Sequence, residues 1–169
     1  MLVAFDFGLT NTDIVISKSN ENHFHSFPTM EVNNEFISYI FDSIKINVNQ
    51  ISQMAVTGGK SSDLDDNFND IPIKKVNEVD AIGEGGFALS NLDPGKPAII
   101  VSSGSGTACI LAKDGEFTHC SGTGVGGGTV LGLSKLLLNT SNPEEIQDLA
   151  SRGLAKGTDL ILEDVVSGP

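Results

Sequence analysis

Three glycine-rich turns constrain the fold of this 169-residue chain more than any other feature. They lie at residues 6–10 (DFGLT), 102–107 (SSGSGT) and 122–128 (GTGVGGG), and the first two each follow a short β-branched run. Such turns expose backbone N–H groups, and the third also opens a helix; both arrangements bind anions, above all phosphate. A lone glycine cluster is more often an ordinary strand-to-helix turn. Three in one short chain favour a nucleotide site.

The formal net charge of −12 limits the classes of partner that this chain can bind. Nucleic acids and anionic membranes attract a basic face, so we expect neither as a partner. Phosphate binding would rely on local positive potential from amide groups, helix N-termini and a divalent metal. The first residues lack the basic region of a signal peptide, and no apolar run has the length needed to cross a bilayer. We therefore expect a cytoplasmic protein.

A strand, glycine turn and strand arrangement that occurs twice predicts two related halves that face a shared cleft, and hydrophobic patterning predicts their elements. The first half contains strands at 2–7, 13–18 and 23–28, a helix over 32–46, strands at 51–56 and 71–76, and a helix after residue 76. A further helix over 61–70 is doubtful, because this segment contains several aspartates and asparagines, which disfavour helix interiors. Two prolines around Gly95 divide domain 1–96 from domain 97–169. The second half has strands at 98–102, 108–112 and 116–120, a buried helix after Gly128, and helices from Pro143 and over 157–166.

The two cysteines lie on a predicted hairpin. Asp114-Gly115 is a two-residue turn signal that would place Cys109 opposite Cys120. Counting from the turn makes them a hydrogen-bonded pair, whose Cα separation suits a disulfide less well than the closer non-hydrogen-bonded positions. We expect two free thiols.

The motifs resemble those of a known family. The first two glycine turns look like the two phosphate loops of the sugar kinase, heat-shock ATPase and actin superfamily. Together with residues 57–59 (TGG), 77–81 (NEVDA) and the third turn followed by TVLGL, they are similar to type II pantothenate kinases over nearly the whole chain. The resemblance implies an α/β, actin-like (ribonuclease H-like) ATPase fold with a complete first domain and a partial second one. It also implies ATP and Mg²⁺ as cofactors.

Position and resemblance together suggest the residues of the site. Asp6 follows a strand and precedes a glycine turn, so its carboxylate can organise Mg²⁺ through water; the alternative is an Asx-turn acceptor. Glu78 is the candidate general base for a hydroxyl, or else a solvated residue at a helix N-terminus. The candidate phosphate-binding residues are Gly8, Thr10, Ser103, Gly104, Ser105, Gly106, Thr107, Gly126, Gly127 and Gly128. The last three also suit close helix–sheet packing. In the family this element binds the phosphates of ATP, or of coenzyme A as feedback inhibitor.

Two positions depart from the family pattern. Leu9 stands where the family usually has a second glycine, which costs the loop some conformational freedom. His119, a candidate substrate-binding residue with Gly122 and Thr123, stands where the family usually has an arginine on the pantothenate side of the cleft. Arginine is always charged and pairs bidentately with a carboxylate, whereas histidine is only partly charged near neutral pH. Either pantothenate, which has a carboxylate, or pantetheine, which has none, could therefore be the substrate. His119 could also be an ordinary residue of the hairpin strand with no role in binding.

The predicted function is ATP-dependent phosphorylation of pantothenate, the entry step of coenzyme A synthesis. The alternatives are a related kinase for pantetheine or another small hydroxyl substrate such as an amino sugar, an ATPase that drives another protein, and a non-catalytic domain that binds nucleotide or coenzyme A. Because the family continues beyond the length of this chain, we expect a fragment of a longer protein. The family is dimeric, and the helices over 127–166 offer a surface for a homodimer.

Overall fold

A six-stranded mixed sheet forms the first part of the chain in the computed structural model, which describes residues 1–19, 21–90, 92–93 and 95–154. Its strands are β1 (Leu2–Phe7), β2 (Asn11–Lys18), β3 (Glu21–Pro28), β4 (Gln53–Thr57), β5 (Asn67–Phe68) and β6 (Ile71–Lys75), in the order β3-β2-β1-β4-β6-β5. Strand β1 is antiparallel to β2 and parallel to β4, which is parallel to β6. The predicted meander and the two following strands are therefore present.

Helix α1 (Asn34–Ser43) packs on one face of this sheet. Asn33 caps it, because its side-chain oxygen accepts the Phe36 N–H at 2.9 Å, and Lys45 with φ 57° lies just beyond its end. The apolar stripe of α1 is buried against the side chains of β1, β2 and β4 that point the same way: Phe36, Ile37, Ile40 and Phe41 against Val3, Phe5, Phe7, Ile14, Ile16, Met54 and Val56. Side chains alternate along a strand, so Ala4 and Asp6 of β1 lie on the opposite face.

The segment 61–70, for which the sequence leaves a helix open, contains no α-helix. It holds a single 3₁₀ turn at Ser61–Asp63 and then the two-residue strand β5. Asn69 and Asp70 both adopt positive φ and close a tight hairpin that pairs Phe68 with Ile71. Asparagine and aspartate tolerate this conformation better than other side chains, so the residues that make the helix doubtful form a turn instead.

A second, three-stranded antiparallel sheet contains β7 (Ala98–Ser103), β8 (Thr107–Lys113) and β9 (Glu116–Thr123). The predicted Asp114-Gly115 turn is present, with φ 54° and 79°. The predicted pairing of Cys109 with Cys120 is wrong: a β-bulge makes Ser121 the partner of Cys109 and leaves Cys120 as the extra residue. Both thiols are free, as predicted, and Cys120 Sγ donates to the Cys109 carbonyl oxygen at 3.3 Å.

Helix α2 (Glu78–Ser90) packs against the second sheet. Two of its glycines make this approach close. A Cβ at Gly83 would overlap the ring of Phe117, and one at Gly86 would overlap the side chain of Ile100, whereas Gly85 has nothing within 4 Å. Phe87 adds an edge-to-face contact with Phe117, with ring centroids 6.4 Å apart. The first residue of α2, Glu78, is therefore held by a helix anchored on the second sheet.

The last described elements are helices α3 (Gly127–Leu138) and α4 (Pro143–Arg152). The prediction that the helix after Gly128 is buried is wrong, because its apolar side chains are exposed, Leu136 by 78% and Leu137 by 73%. The helix from Pro143 is confirmed, capped by the Asn142 side chain. The helix predicted over 157–166 lies outside the described residues. None of the described helices is long and apolar enough to cross a bilayer.

The chain divides into two compact units, Met1–Gly128 and Thr129–Pro169. The first unit contains both sheets together with α1 and α2. The division into domains 1–96 and 97–169 remains a prediction.

Candidate functional site

Asp6 lies near the carboxyl end of β1, at the centre of the candidate site. It pairs directly with Asp13 across the antiparallel β1–β2 ladder and with Thr57 across the parallel β1–β4 ladder. Burial raises the pKa of the Asp6 carboxyl, and the nearby charges of Glu78 and Asp13 raise it further. A carboxylate in such surroundings gains from a neighbouring cation.

Glu78 reaches the same region from α2. Asn77 caps this helix, because its side-chain oxygen accepts the Val79 N–H at 2.8 Å, and this places Glu78 in the first turn. Asp6 and Glu78 line one cleft of about 590 Å³. The described residues that line it are Ala4, Phe5, Asp6, Asp13, Ile14, Val15, Phe24, His25, Ser26, Thr57, Glu78, Ala81 and Ile82. The structure thus brings both predicted catalytic carboxylates together beside an apolar wall.

Gly58 sets how closely β4 approaches Asp6. Its φ of +91° is a conformation that residues with a side chain rarely adopt. A Cβ at this position would lie 2.5 Å from the Phe7 carbonyl oxygen and 2.6 Å from Asp6 Oδ1. The chain after β4 therefore passes against Asp6 with room for a hydrogen atom only.

The first glycine turn is braced by Thr29. The Thr29 hydroxyl donates to the Gly8 carbonyl oxygen at 2.9 Å, so the buried Thr12 hydroxyl must donate to Thr29 Oγ1, also at 2.9 Å. A Cβ at Gly8 would lie 2.7 Å from the Asn11 carbonyl oxygen. Leu9, where the family usually has glycine, is 70% exposed and sits on the outside of the turn.

The first and second glycine turns meet. Thr10 Oγ1 lies 3.1 Å from Ser105 Oγ, although the two residues are 95 positions apart in sequence. Within the second turn, the Thr107 hydroxyl donates to the Val125 carbonyl oxygen at 2.8 Å, so the Ser103 hydroxyl donates to Thr107 Oγ1 at 3.3 Å. The two turns predicted to bind phosphate therefore form one surface.

The third glycine turn packs against the second. A Cβ at Gly126 would lie 2.5 Å from the Gly106 carbonyl oxygen, and one at Gly128 would lie 3.1 Å from Ser105 Cα. The Gly128 N–H donates to the Gly104 carbonyl oxygen at 3.4 Å. Close packing, the structural role considered for these glycines, is therefore present, and the Gly128 N–H is engaged within the protein.

The predicted substrate-binding residues lie on β9 and at its end. His119 is exposed, and its Nε2 would be 3.1 Å from a Cβ added at Gly122. The Thr123 hydroxyl accepts the Val125 N–H at 3.2 Å, which ties it to the third turn. None of these three residues lines the cleft of Asp6 and Glu78.

The carboxylates suit Mg²⁺ held partly through water. Among the described residues, no group of three or more histidine, cysteine or acidic side chains is close enough to enclose a metal ion. Mg²⁺ usually keeps several waters and is bound by one or two carboxylates together with substrate phosphates. Asp6, whose pKa is raised by burial and then by the nearby carboxylates of Glu78 and Asp13, fits that mode.

Sequence reasoning gave Asp13 no role at this site, and it used Thr57 and Gly58 only as part of the TGG motif without placing them beside Asp6. Asp13 could have been found by extending the first strand pair across the glycine turn, which sets it opposite Asp6. Thr57 and Gly58 lie beside Asp6 because β4 pairs in parallel with β1, about 50 residues earlier in the chain. No local sequence pattern predicts which strands pair in this way. The Thr57 hydroxyl is buried and has no hydrogen-bond partner within the described part of the chain.

Comparison with known proteins supports the family that the motifs suggest. A model of the Fumble family matches residues 87–169. A type II pantothenate kinase of one Bacillus cereus strain is 30% identical over 98% of this chain and 59% of its own length, and that of another is 34% identical over 76% and 48%. Pantothenate kinase 1 of Arabidopsis thaliana is 37% identical over 43% of this chain and 19% of its own length. The resemblance to type II pantothenate kinases is confirmed, and the chain spans about half the length of the bacterial relatives.

Solved structures confirm the fold. An activator of the 2-hydroxyisocaproyl-CoA dehydratase from Clostridium difficile, with bound ADPNP, superposes with a TM-score of 0.67 at 13% identity, over 90% of this chain and 57% of that one. A putative N-acetylglucosamine kinase from Porphyromonas gingivalis gives 0.52 at 17% identity, over 89% and 62%. The chain has the predicted actin-like α/β fold.

Proposed function

We propose that this chain, a relative of the type II pantothenate kinases, takes part in ATP-dependent phosphorylation of pantothenate, the first step of coenzyme A biosynthesis. One observation carries the proposal. Asp6 and Glu78 line a single cleft, and the two glycine turns that follow β1 and β7 meet through Thr10 and Ser105. A kinase needs this combination of a proton acceptor and a phosphate-binding surface.

Glu78 acts as the general base. Its carboxylate stands in the first turn of α2, and α2 is fixed to the second sheet through Gly83, Gly86 and Phe87. A substrate hydroxyl placed beside Glu78 would lose its proton to that carboxylate as the oxygen attacks the terminal phosphate. The apolar wall of the cleft would hold the body of the substrate.

The glycine turns position the phosphates of ATP. The exposed hydroxyl of Thr10 and the half-buried hydroxyl of Ser105 would form the donor surface with backbone N–H groups of the first two turns. The exposed Ser103 hydroxyl would join it by exchanging its bond to Thr107 for one to phosphate. The start of α3 at Gly126–Gly128 adds the positive end of a helix dipole. Catalysis here is positioning and electrostatics rather than covalent chemistry.

Asp6 would hold Mg²⁺ through water. When bound, the ion neutralises phosphate charge and orients the transferred group. Gly58 keeps Asp6 in place, because the backbone after β4 leaves the carboxylate no room to move toward it.

Replacing Glu78 by glutamine tests the proposed function. Glutamine keeps size and hydrogen bonding but accepts no proton, so turnover of pantothenate should fall about 10²–10⁴-fold with nucleotide affinity nearly unchanged. Glu84→Gln is the matched control, because Glu84 lies on the same helix and lines a different pocket. A Glu78→Gln variant with the kcat of the unmodified chain would rule out Glu78 as the base. ATP hydrolysis without a phosphorylated acceptor would instead indicate an ATPase that drives another protein.

Four further properties, three from the resemblance and the cytoplasmic location from the sequence, belong to the same proposal. Coenzyme A would act as a feedback inhibitor at the third glycine turn. His119, Gly122 and Thr123 would contact the substrate. The protein would work in the cytoplasm. It would form a homodimer through α3, whose exposed leucines supply an apolar surface of the kind that protein interfaces bury.

A further inference from the structure

Thr29 holds the first glycine turn at two points. This residue follows β3, and its backbone N–H donates to the Thr10 carbonyl oxygen at 2.9 Å. Its hydroxyl donates to the Gly8 carbonyl oxygen, also at 2.9 Å. The two carbonyl groups lie on either side of Leu9 in sequence. One residue outside the turn therefore fixes the backbone on both sides of Leu9.

Thr12 determines where the Thr29 hydroxyl points. Thr12 is fully buried on β2, and its hydroxyl lies 2.9 Å from Thr29 Oγ1. Because a carbonyl oxygen only accepts, Thr29 donates its single hydroxyl proton to Gly8 and accepts the proton of Thr12. Consecutive hydrogen bonds of this kind strengthen one another, and a buried hydroxyl without a partner is costly. Thr12 thus keeps the Thr29 hydroxyl directed at Gly8.

The orientation of the Gly8–Leu9 peptide decides what the turn offers to an anion. This peptide is trans, so its C=O and N–H groups point in opposite directions. The bond from Thr29 to the Gly8 carbonyl oxygen therefore directs the Leu9 N–H away from Thr29. Glycine has the backbone freedom that allows such a peptide to rotate. The rotated form would present the Gly8 carbonyl oxygen, whose partial negative charge repels phosphate.

Thr10 connects this arrangement to the second glycine turn. Its carbonyl oxygen is held by the Thr29 N–H, and its exposed hydroxyl lies 3.1 Å from Ser105 Oγ. A fixed backbone at Thr10 also limits where that hydroxyl can lie. Thr29 therefore stabilises the turn at the place where the two candidate phosphate-binding turns meet.

We propose that Thr29 is a positioning residue for phosphate binding. It holds the Gly8–Leu9 peptide so that the Leu9 N–H, rather than the Gly8 carbonyl oxygen, is offered to the phosphates of ATP. Thr12 acts through Thr29 by orienting its hydroxyl. This rests on the proposed function, because it names the residue that prepares the first glycine turn for nucleotide. Donors that are already oriented bind an anion at lower cost, because they do not have to rearrange.

Removal of the Thr29 hydroxyl tests this role. Thr29→Val keeps the shape of the side chain and the backbone N–H. Titration calorimetry with ATP and Mg²⁺ should show a Kd raised about two- to tenfold, the contribution of one neutral hydrogen bond. The KM for ATP should rise by the same factor, whereas kcat and the KM for pantothenate should stay the same. Thr29→Ser keeps the hydroxyl and should retain the Kd of the unmodified chain.

Ser52→Ala is the matched control. The Ser52 hydroxyl donates to the Met1 carbonyl oxygen at 2.9 Å, so this variant loses a bond of the same kind and length. The bond lies at the amino end of β1, whereas Gly8 follows the carboxyl end of the same strand. We expect Ser52→Ala to leave the Kd for ATP unchanged.

A double variant separates positioning from folding. Thr29→Val leaves the buried Thr12 hydroxyl without its acceptor and should lower Tm. Thr12→Val combined with Thr29→Val replaces both hydroxyls by apolar groups of the same shape, so Tm should recover. The Kd for ATP should stay raised in the double variant, because the Gly8 carbonyl oxygen still lacks its donor.

The possible outcomes distinguish the two proposals. Weaker ATP binding in Thr29→Val and in the double variant, with no phosphorylation of pantothenate by the unmodified chain, supports the role of Thr29 and refutes the kinase function. Phosphorylation with an unchanged Kd and KM for ATP in both variants refutes the role of Thr29 and leaves the kinase function standing. A Kd that recovers together with Tm in the double variant also refutes that role, because the hydroxyl then matters only for folding. Absence of ATP binding by the unmodified chain would overturn both proposals.

Discussion

Gly58 offers a sharp test of how the site is built, because its neighbour Gly59 is a natural control. An alanine at position 58 would have to adopt φ +91°, a strained conformation that costs about 1–3 kcal/mol. Its Cβ would also overlap the Phe7 carbonyl oxygen and Asp6 Oδ1, at 2.5 and 2.6 Å, and overpacking of this kind costs about 1–3 kcal/mol. We expect Gly58→Ala to lower the free energy of unfolding by about 2–6 kcal/mol, the sum of the two costs.

Gly59→Ala should behave differently. Nothing lies within 4 Å of a Cβ at that position, and the φ of Gly59 is not positive. The substitution removes freedom from the unfolded chain and should change the free energy of unfolding by less than about 1 kcal/mol.

Urea unfolding followed by circular dichroism compares the two variants. For a chain of this size each kcal/mol corresponds to about 2–4 °C in Tm, so thermal unfolding gives an independent check. Gly58→Ala should also lower kinase turnover more than Gly59→Ala, because relief of the overlap displaces Asp6. Equal stability of the two variants would refute the view that the backbone after β4 fixes the Asp6 carboxylate.

Two more predictions concern the cleft and the helix that carries Glu78. Because its surroundings raise the pKa of Asp6, the folded state binds more protons than the unfolded state, and the charged form destabilises the fold above that pKa. Asp6→Asn should therefore raise Tm at pH 7 while abolishing turnover, and the gain should shrink as the pH falls through the raised pKa; a lower Tm at pH 7 would contradict this. Gly83→Ala should destabilise the chain by about 1–3 kcal/mol relative to Gly85→Ala in urea unfolding, because only the first overlaps Phe117. Equal effects would mean that α2 does not pack closely on the second sheet.

Periodicity along the chain was enough to predict the elements that bury one face. The stripe of Phe36, Ile37, Ile40 and Phe41 is a helix because residues at this spacing fall on one side of it, and the sheet beneath supplies the matching alternation. Turn chemistry was equally informative at Asp114-Gly115. Both signals are local, so each can be found within one short window of sequence.

The errors have non-local causes. The bulge at Cys120 depends on how β9 pairs with β8 near the glycine turns. A shift of one residue in strand register cannot be recognised from the residue types alone. Helix α3 is as apolar as a buried helix, yet its leucines are exposed. An apolar composition predicts that a helix can be buried. It does not predict which segment of the chain, or which other molecule, covers that helix.

The residues of the candidate site also divide into those with a local sequence signal and those placed by non-local pairing. Asp6, Glu78 and the first two glycine turns could be proposed as site residues because their residue types, their local positions and the family resemblance suit phosphoryl transfer. Asp13 was missed, and Gly58 was noted only within the TGG motif, because strand pairing is what sets Asp13 opposite Asp6 and brings the turn after β4 against it. The same pairing gives the cleft its surplus negative charge.

The proposed mechanism requires that the first two glycine turns form one phosphate-binding surface beside Asp6. A crystal structure of the chain with a non-hydrolysable ATP analogue and Mg²⁺ would show whether they do. We expect phosphate oxygens within hydrogen-bonding distance, about 2.7–3.2 Å, of donors in both Gly8–Thr10 and Ser103–Thr107. Phosphates bound beyond hydrogen-bonding distance of both turns would contradict it.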